Sequence, residues 1–355
     1  MVGTFWALVP AIVAIALALI TKEVYSSLFL GIVIGGIFYA IDASSGFTGF
    51  FTHIFNDGMI AQLSDSWNVG ILVFLVVLGI MVALMNKAGG SQAFGAWAKK
   101  HIKSKIGVQC ATVLLGILIF IDDYFNCLTV GSVMKPVSDK FGVSREKLSY
   151  LIDATAAPVC IIAPISSWAA AVAGFVSEGE NGFTLFCSAI PFNFYAILTL
   201  IMIFSMIFMK FEFGEMSKYE KAVQFMDSVV TEQEEGNSKG RVIDLVMPII
   251  LLIVFCVIGM IYTGGFFSGE NLITAFSNSD ASVGLVIGSA IAIVFTVVYL
   301  LIRRVISFKD AMASLPEGFK AMVPAILILT CAWTLKAMTD SLGAKIFISQ
   351  LVEGS

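Results

Sequence analysis

Runs of about 20 apolar residues recur along this chain, at roughly 4–20, 24–41, 69–86, 148–175, 183–209, 242–264, 281–302 and 321–340. A further apolar segment covers 107–134. Wound as an α-helix, about 20 residues match the hydrocarbon thickness of a bilayer. Inside hydrocarbon every backbone amide and carbonyl must find a partner within the protein, so only helices and closed barrels span it. A barrel would read as short alternating segments, unlike these long runs. Of the 355 residues only 13% are charged, against roughly 25% in a soluble domain, and the mean hydropathy is +0.94. The expectation is an all-α polytopic membrane protein with about eight transmembrane spans. Thr4 to Ile20 has no basic leader and no clear cleavage site, so it reads as the first span rather than a signal peptide.

The loops between runs differ sharply in basic residues. Residues 87–106 carry Lys87, Lys99, Lys100, Lys103 and Lys105, and residues 135–147 carry Lys135, Lys140, Arg145 and Lys147. Residues 210–241 and 303–320 are also basic, whereas 42–68, 176–182 and 265–280 hold no Lys or Arg. Basic loops belong in the cytoplasm, which places the N-terminus outside. Both loops flanking 107–134 are basic, so a single crossing there would put one of them on the wrong side. A re-entrant hairpin over 107–134, turning near Asp122–Asn126, removes the conflict. The alternative is an ordinary span with one loop that breaks the bias. Residues 49–68 read as an amphipathic stretch along the outer interface, with His53 as a surface residue. The 210–241 loop holds seven acids and the run EQEEGNSKG and reads as a cytoplasmic connector. The expected organisation is a first transmembrane half at 1–209, with the hairpin 107–134 and a broken helix 148–175. The connector 210–241 and the start of a second half at 242–355 follow.

Two clusters carry chemistry. The first is Asp122, Asp123, Tyr124 and Asn126, at the end of the run Val113–Ile121. Ionised carboxylates in hydrocarbon are costly and usually mark an ion or proton path. Two adjacent acids repel, so one holds a proton unless a cation is present, as a site shared by sodium and protons requires. Asn126 adds a neutral oxygen that suits a hard cation. The competing reading is an acidic pair at a helix end in the headgroup zone. The second cluster is Leu151 to Gly174, with Asp153, Thr155, Ser166 and Ser167 beside Pro158 and Pro164. Each proline removes an amide, which would leave the carbonyls of Ala154 and Cys160 without helical partners. Two such helix breaks suggest an unwound middle whose carbonyls and hydroxyls hold a cation. The competing reading is a kinked helix whose hydroxyls bond back to their own carbonyls. Trp168 reads as packing. Gly31 and Gly35 form a GxxxG, weak evidence for close helix contact. Lys336, Asp340 and Lys345 fit no role. The six scattered cysteines form no CxxC and read as small packing residues.

IDDYFN, VGSVMKP, SREKL and DATAAPVCIIAPIS occur together and in this order over residues 119–171. That combination resembles the NhaC family of sodium/proton antiporters, with weaker similarity through MVPAILILTCAWTL, residues 322–335. The resemblance implies an inverted-repeat secondary transporter, each repeat offering a hairpin and a broken helix at mid-membrane. Family members usually continue into a second polar hairpin, which does not occur before Ser355, so the second repeat is expected to be incomplete.

The resulting expectation is exchange of Na+ for H+ across the cytoplasmic (cell) membrane by alternating access. Asp122, Asp123, Asn126, Asp153, Thr155, Ser166 and Ser167 would bind the ion or substrate, with Asp122, Asp123 and Asp153 as the carboxylates for Na+. The same fold could instead exchange malate, lactate or an amino acid coupled to Na+ or H+. No cofactor is expected besides the transported ions. Expected partners are the lipid bilayer and the transported ion or small solute, with a homodimer left open and no nucleic acid. No enzyme activity is expected: the chain has no Walker A motif, no GxGD, no HExxH and no second acidic motif to accompany DDYFN.

Overall fold

A computed structural model describes residues 2–164, 166, 168, 169, 182–225 and 239–353, and no strand occurs among them. The main helices are α1 (Val9–Thr21), α2 (Val24–Asp42), α3 (Ser66–Lys87), α4 (Gly90–His101), α5 (Lys105–Leu118), α6 (Asp123–Lys140) and α7 (Arg145–Ile162). They continue with α8 (Gly182–Ala189), α9 (Phe194–Met209), α10 (Met216–Phe225), α11 (Ile243–Thr263), α12 (Ala281–Ile302), α13 (Phe308–Ser341) and α14 (Ala344–Glu353). The protein is an all-α polytopic membrane protein.

Among the described residues five helices are long and apolar enough to cross a bilayer: Val24–Asp42, Ser66–Lys87, Ile243–Thr263, Ser282–Ile302 and Phe308–Ser341. A sixth crossing is reached if Thr184–Phe192 and Phe194–Met209, bent by 50°, act as one span. The first expected span is the shorter apolar helix Phe5–Thr21. The expected 148–175 span is helical to Ile162, and its end past Ala169 lies outside the described residues. Large apolar side chains, among them Phe29 and Ile41 on α2, Leu198 and Phe208 on α9 and Val294 and Phe295 on α12, are exposed. Apolar faces this extensive are foreign to a soluble monomer and natural against lipid.

The chain forms two compact units, Met1–Leu72 with Ala321–Ser355, and Val73–Lys320. The boundaries fall inside α3 and α13. In the first unit the GxxxG of α2 works as close packing. A Cβ on Gly31 would lie 2.8 Å from the Pro10 carbonyl oxygen, and one on Gly35 would lie 2.7 Å from Met338. In lipid, helix association depends on such backbone approach because apolar burial alone drives little. Ala14, Ile32, Ile54, Leu335 and Met338 fill the core around these glycines.

His53 departs from its expected surface place. It is buried, stacks on Tyr39 with ring centroids 3.5 Å apart, and sits 3.0 Å from Asp57 and 2.9 Å from the Ser341 hydroxyl. The amphipathic pattern located the helical segment but not the pocket that α2 and α13 make for this ring. Lys336 and Lys345 both pair with Asp340, at 2.9 and 3.7 Å, which accounts for three charges the sequence left without a role.

In the second unit α11 and α12 cross closely: a Cβ on Gly259 would lie 2.1 Å from the Gly284 carbonyl oxygen. Helices α5, α6 and α7 pack on one another, and α9 packs on α7. Val113, Leu151, Ala154, Ile203 and Ile207 form the apolar core among α5, α7 and α9. This scaffold carries the residues singled out in the sequence.

Candidate functional site

The run that ends at IDDYFN is interrupted. Helix α5 stops at Leu118, Ile119 leaves helical geometry (φ −100°, ψ 59°), and α6 begins at Asp123. The interruption is therefore Ile119–Asp122, and the acids stand at the start of α6. The local cause is N-capping. Asp122 is extended (φ −154°, ψ 137°) and its carboxylate accepts the Phe125 amide at 2.9 Å. Aspartate is among the best residues for that position, and Asp123 in the first turn adds a charge favourable to the helix dipole.

Asn126 joins α5 and α6. Its Nδ2 donates to the carbonyls of Gly116 at 2.7 Å and Ile119 at 2.9 Å, capping the frayed end of α5. Two carbonyl acceptors fix the amide orientation, because the reverse would set oxygen against oxygen. The Asn126 Oδ1 is left buried and without a hydrogen bond. One turn along, the Thr129 Oγ1 is in the same condition, and both residues are fully buried. Residues 122, 126 and 129 fall on one helix face at the 3.6-residue period. The buried face of α6 thus carries a carboxylate, an amide oxygen and a hydroxyl in a row.

Gly116 makes room for this row. A Cβ there would lie 2.9 Å from Thr155 Cγ2 and 3.4 Å from Asn126 Oδ1. Thr155 itself donates to the Leu151 carbonyl at 2.6 Å, the back-bonding arrangement rather than an unwound ligand. Trp168, read from sequence as packing, donates from its indole nitrogen to Asp123 Oδ1 at 3.2 Å. Asp123 is half-buried, whereas Asp153 is exposed.

Two expectations need correction. Pro158 does not break the helix: α7 runs through it to Ile162. The break is at Pro164, where Ala163 is extended (φ −81°, ψ 119°), as the residue before a proline prefers. The Cys160 carbonyl that Pro164 strands is taken by the Ser166 hydroxyl at 2.7 Å, and the same oxygen accepts the Ala169 amide at 3.1 Å. Ser166 is a structural cap of this break. Secondly, Asp122, Asp123 and Asp153 do not converge: among the described residues no three His, Cys, Asp or Glu side chains could share a metal ion. Asp122 is turned to its capping role and Asp153 outward. Ser167 lies outside the described residues.

The N-terminal ends of α5 and α7 are anchored by charges. Lys105 pairs with Glu220 of α10, whose carboxylate also accepts the Ser144 amide at 2.9 Å, and the buried Lys147 pairs with Glu212. Burial pushes the Glu220 carboxyl up, but Lys105 and Ser144 outweigh it and hold the group below the ordinary carboxylate range.

Sequence reasoning missed Thr129, Gly116 and Trp168. Thr129 was findable, since it continues the 122–126 stripe at helical spacing. Trp168 was not, because its partner is 45 residues away across a break.

Comparison with known proteins bears on what this arrangement serves. A sequence profile described as "Na+/H+ antiporter family" matches residues 173–355, a region that begins just after the motif-rich stretch 119–171. A protein of Haemophilus influenzae named "Uncharacterized protein" is 33% identical over 371 aligned residues, covering 99% of this chain and 70% of that protein. No solved structure matches.

Proposed function

Because the chain belongs to the Na+/H+ antiporter family, we propose that it exchanges Na+ for H+ across the cytoplasmic membrane by alternating access, in the manner of the NhaC group. One observation supports this reading above the others. The interrupted helix 119–122 presents Asp122, Asp123 and two unsatisfied neutral oxygens, from Asn126 and Thr129, inside packed helices. A hard, weakly held cation takes carboxylate and neutral oxygen ligands. The buried oxygens without partners are the part of the site that a desolvated Na+ satisfies.

In this mechanism Asp123 carries the exchange. Protonation removes its charge and its hold on Na+, and Na+ binding displaces the proton, so the two cargoes exclude each other at one carboxylate. Trp168 orients the Asp123 carboxylate through its indole hydrogen bond. Asp122 positions the stripe by capping α6 and adds negative charge. Asn126 holds the two arms together with its nitrogen and offers its oxygen to the ion. The 107–134 segment acts as a re-entrant hairpin, so that the site lies within the membrane, and the protein rocks between two access states around it.

The test is a ΔpH-collapse assay in proteoliposomes holding the full chain, with an acidic lumen and sodium, potassium, lithium, malate or lactate added outside. Collapse with sodium supports the reading. Collapse with malate or lactate and not with sodium moves the cargo to an organic anion. Silence with every solute overturns transport by this chain alone.

A further inference from the structure

Helix α4 follows directly on a membrane-crossing helix and has two unlike faces. The chain turns at Gly89 (φ 77°), two residues past Lys87 where α3 ends, and α4 begins at Gly90. One face packs inward on α6 and α11: Ser91, Gly95 and Ala98 are buried, and a Cβ on Gly95 would lie 3.5 Å from Pro136. Positions 91, 95 and 98 share a side at the helical period. The opposite arc carries Ala96, Trp97, Lys100 and His101, all exposed, and the large Trp97 side chain is 46% open. At about 100° per residue, Lys100 falls beside Ala96 and Trp97 beside His101. The two rings lie 4.7 Å apart between centroids, and His101 Nδ1 sits 2.8 Å from the Trp97 carbonyl oxygen. The exposed arc is thus divided into a cationic side and an aromatic side.

The charge of this segment is one-sided. No Asp or Glu occurs between Asp65 and Asp122, whereas residues 87–106 hold five lysines. Two of these are spent within the protein: Lys87 pairs with Glu317 at 2.7 Å, and Lys105 pairs with Glu220. Lys100 on the arc and Lys103 just past the helix are exposed and have no ion pair among the described residues. Basic loops belong on the cytoplasmic side, where anionic headgroups set up a negative surface potential that attracts lysine. Tryptophan favours the same depth, because its ring is apolar and its N–H is polar.

We propose that α4 seats on the anionic headgroup layer of the cytoplasmic leaflet. Trp97 enters the boundary between headgroups and acyl chains, while Lys100 and Lys103 pair with lipid phosphates. This is the arrangement of an interfacial helix, with aromatic and basic residues on adjoining sides. Charge complementarity selects the occupant, since a neutral leaflet would satisfy Trp97 and leave both lysines without a counter-charge. The inference rests on α4 alone and stands whether or not the chain exchanges sodium.

The test is quenching of Trp97 fluorescence in the full chain reconstituted into liposomes. The quencher is phosphatidylcholine brominated near the top of its acyl chains, with or without phosphatidylglycerol. The chain has five tryptophans, so the Trp97 signal is the native spectrum less that of Trp97→Phe. A second pair of proteins, with and without Trp97→Phe, carries Lys100→Gln and Lys103→Gln. Phosphatidylglycerol should raise the quenching of Trp97 about twofold at low salt, and high salt or the two lysine substitutions should abolish the rise. Quenching that ignores phosphatidylglycerol, or a rise that survives both substitutions, overturns the proposal. A Trp97 signal quenched only by aqueous iodide, or by neither agent, overturns it as well, the latter marking a protein partner on this face.

Discussion

The side-chain nitrogen of Asn126 reaches back ten residues to the carbonyl of Gly116 at 2.7 Å, so the first turn of α6 caps the last turn of α5. The same side chain faces the buried interior with its oxygen. The contact between helices and the proposed ion ligand thus share one amide, so one substitution should disturb both. Asn126→Asp keeps the size but removes both donors and sets a carboxylate against two carbonyls. It should lower unfolding stability by about 1–3 kcal/mol and abolish exchange, as read by denaturant unfolding and the ΔpH assay.

Thr129→Val should behave in the opposite way. Valine matches threonine in shape and lacks the unsatisfied hydroxyl, so stability should hold or rise. The apparent sodium affinity should fall about tenfold if that hydroxyl is an ion ligand. Unchanged sodium dependence would remove Thr129 from the site.

For the carboxylates, Asp122→Asn and Asp123→Asn should both abolish exchange while membrane insertion and folding persist. Asparagine caps a helix about as well as aspartate, so the first variant removes charge without removing the cap. Normal transport by both would end the interrupted-helix reading.

Gly116 and Thr155 should be coupled. Gly116→Ala places a methyl group 2.9 Å from Thr155 Cγ2, closer than real contacts allow, and overpacking of this kind costs about 1–3 kcal/mol. Thr155→Ser deletes that methyl while keeping the hydroxyl bond to Leu151. The double variant should recover most of the loss in a thermal unfolding cycle, whereas additive losses would show that the contact is not the cause.

The Glu220 anchor should show in acid. Its carboxyl is held below the ordinary range by Lys105 and Ser144 against the opposing effect of burial. A lowered folded-state value contributes stability that is present above the unfolded value, about 4.3, and is lost as pH falls through the folded one. The unfolding temperature of the native protein should therefore exceed that of Glu220→Gln at pH 7. The gap should close below about pH 4. A pH-independent gap would show that the charge contributes nothing.

Several features of the site were legible along the chain because their causes are local. The acidic motif predicts an interruption near Asp122–Asn126; it falls at 119–122 because Asp122 caps the helix that follows. Pro164 stops α7 because a proline constrains its predecessor. Pro158 shows the limit of that reasoning, since flanking turns carry a helix across a missing amide when its neighbours hold it straight. His53 and Trp168 show a second limit. Each has a partner chosen by packing, and nothing in its neighbourhood along the chain names Ser341 or Asp123.

What the sequence determined by itself is that the chain is helical, lies in a membrane and breaks a helix at an acidic motif. Hydrocarbon forbids unpaired backbone, and the period and capping residues act over one or two turns. Which oxygens stay unsatisfied was decided only in the tertiary structure. The Asn126 amide spends its donors on α5, Thr155 spends its hydroxyl on its own helix, and Asp153 turns outward, because hydrogen bonds are allotted by which helices meet and at what distance.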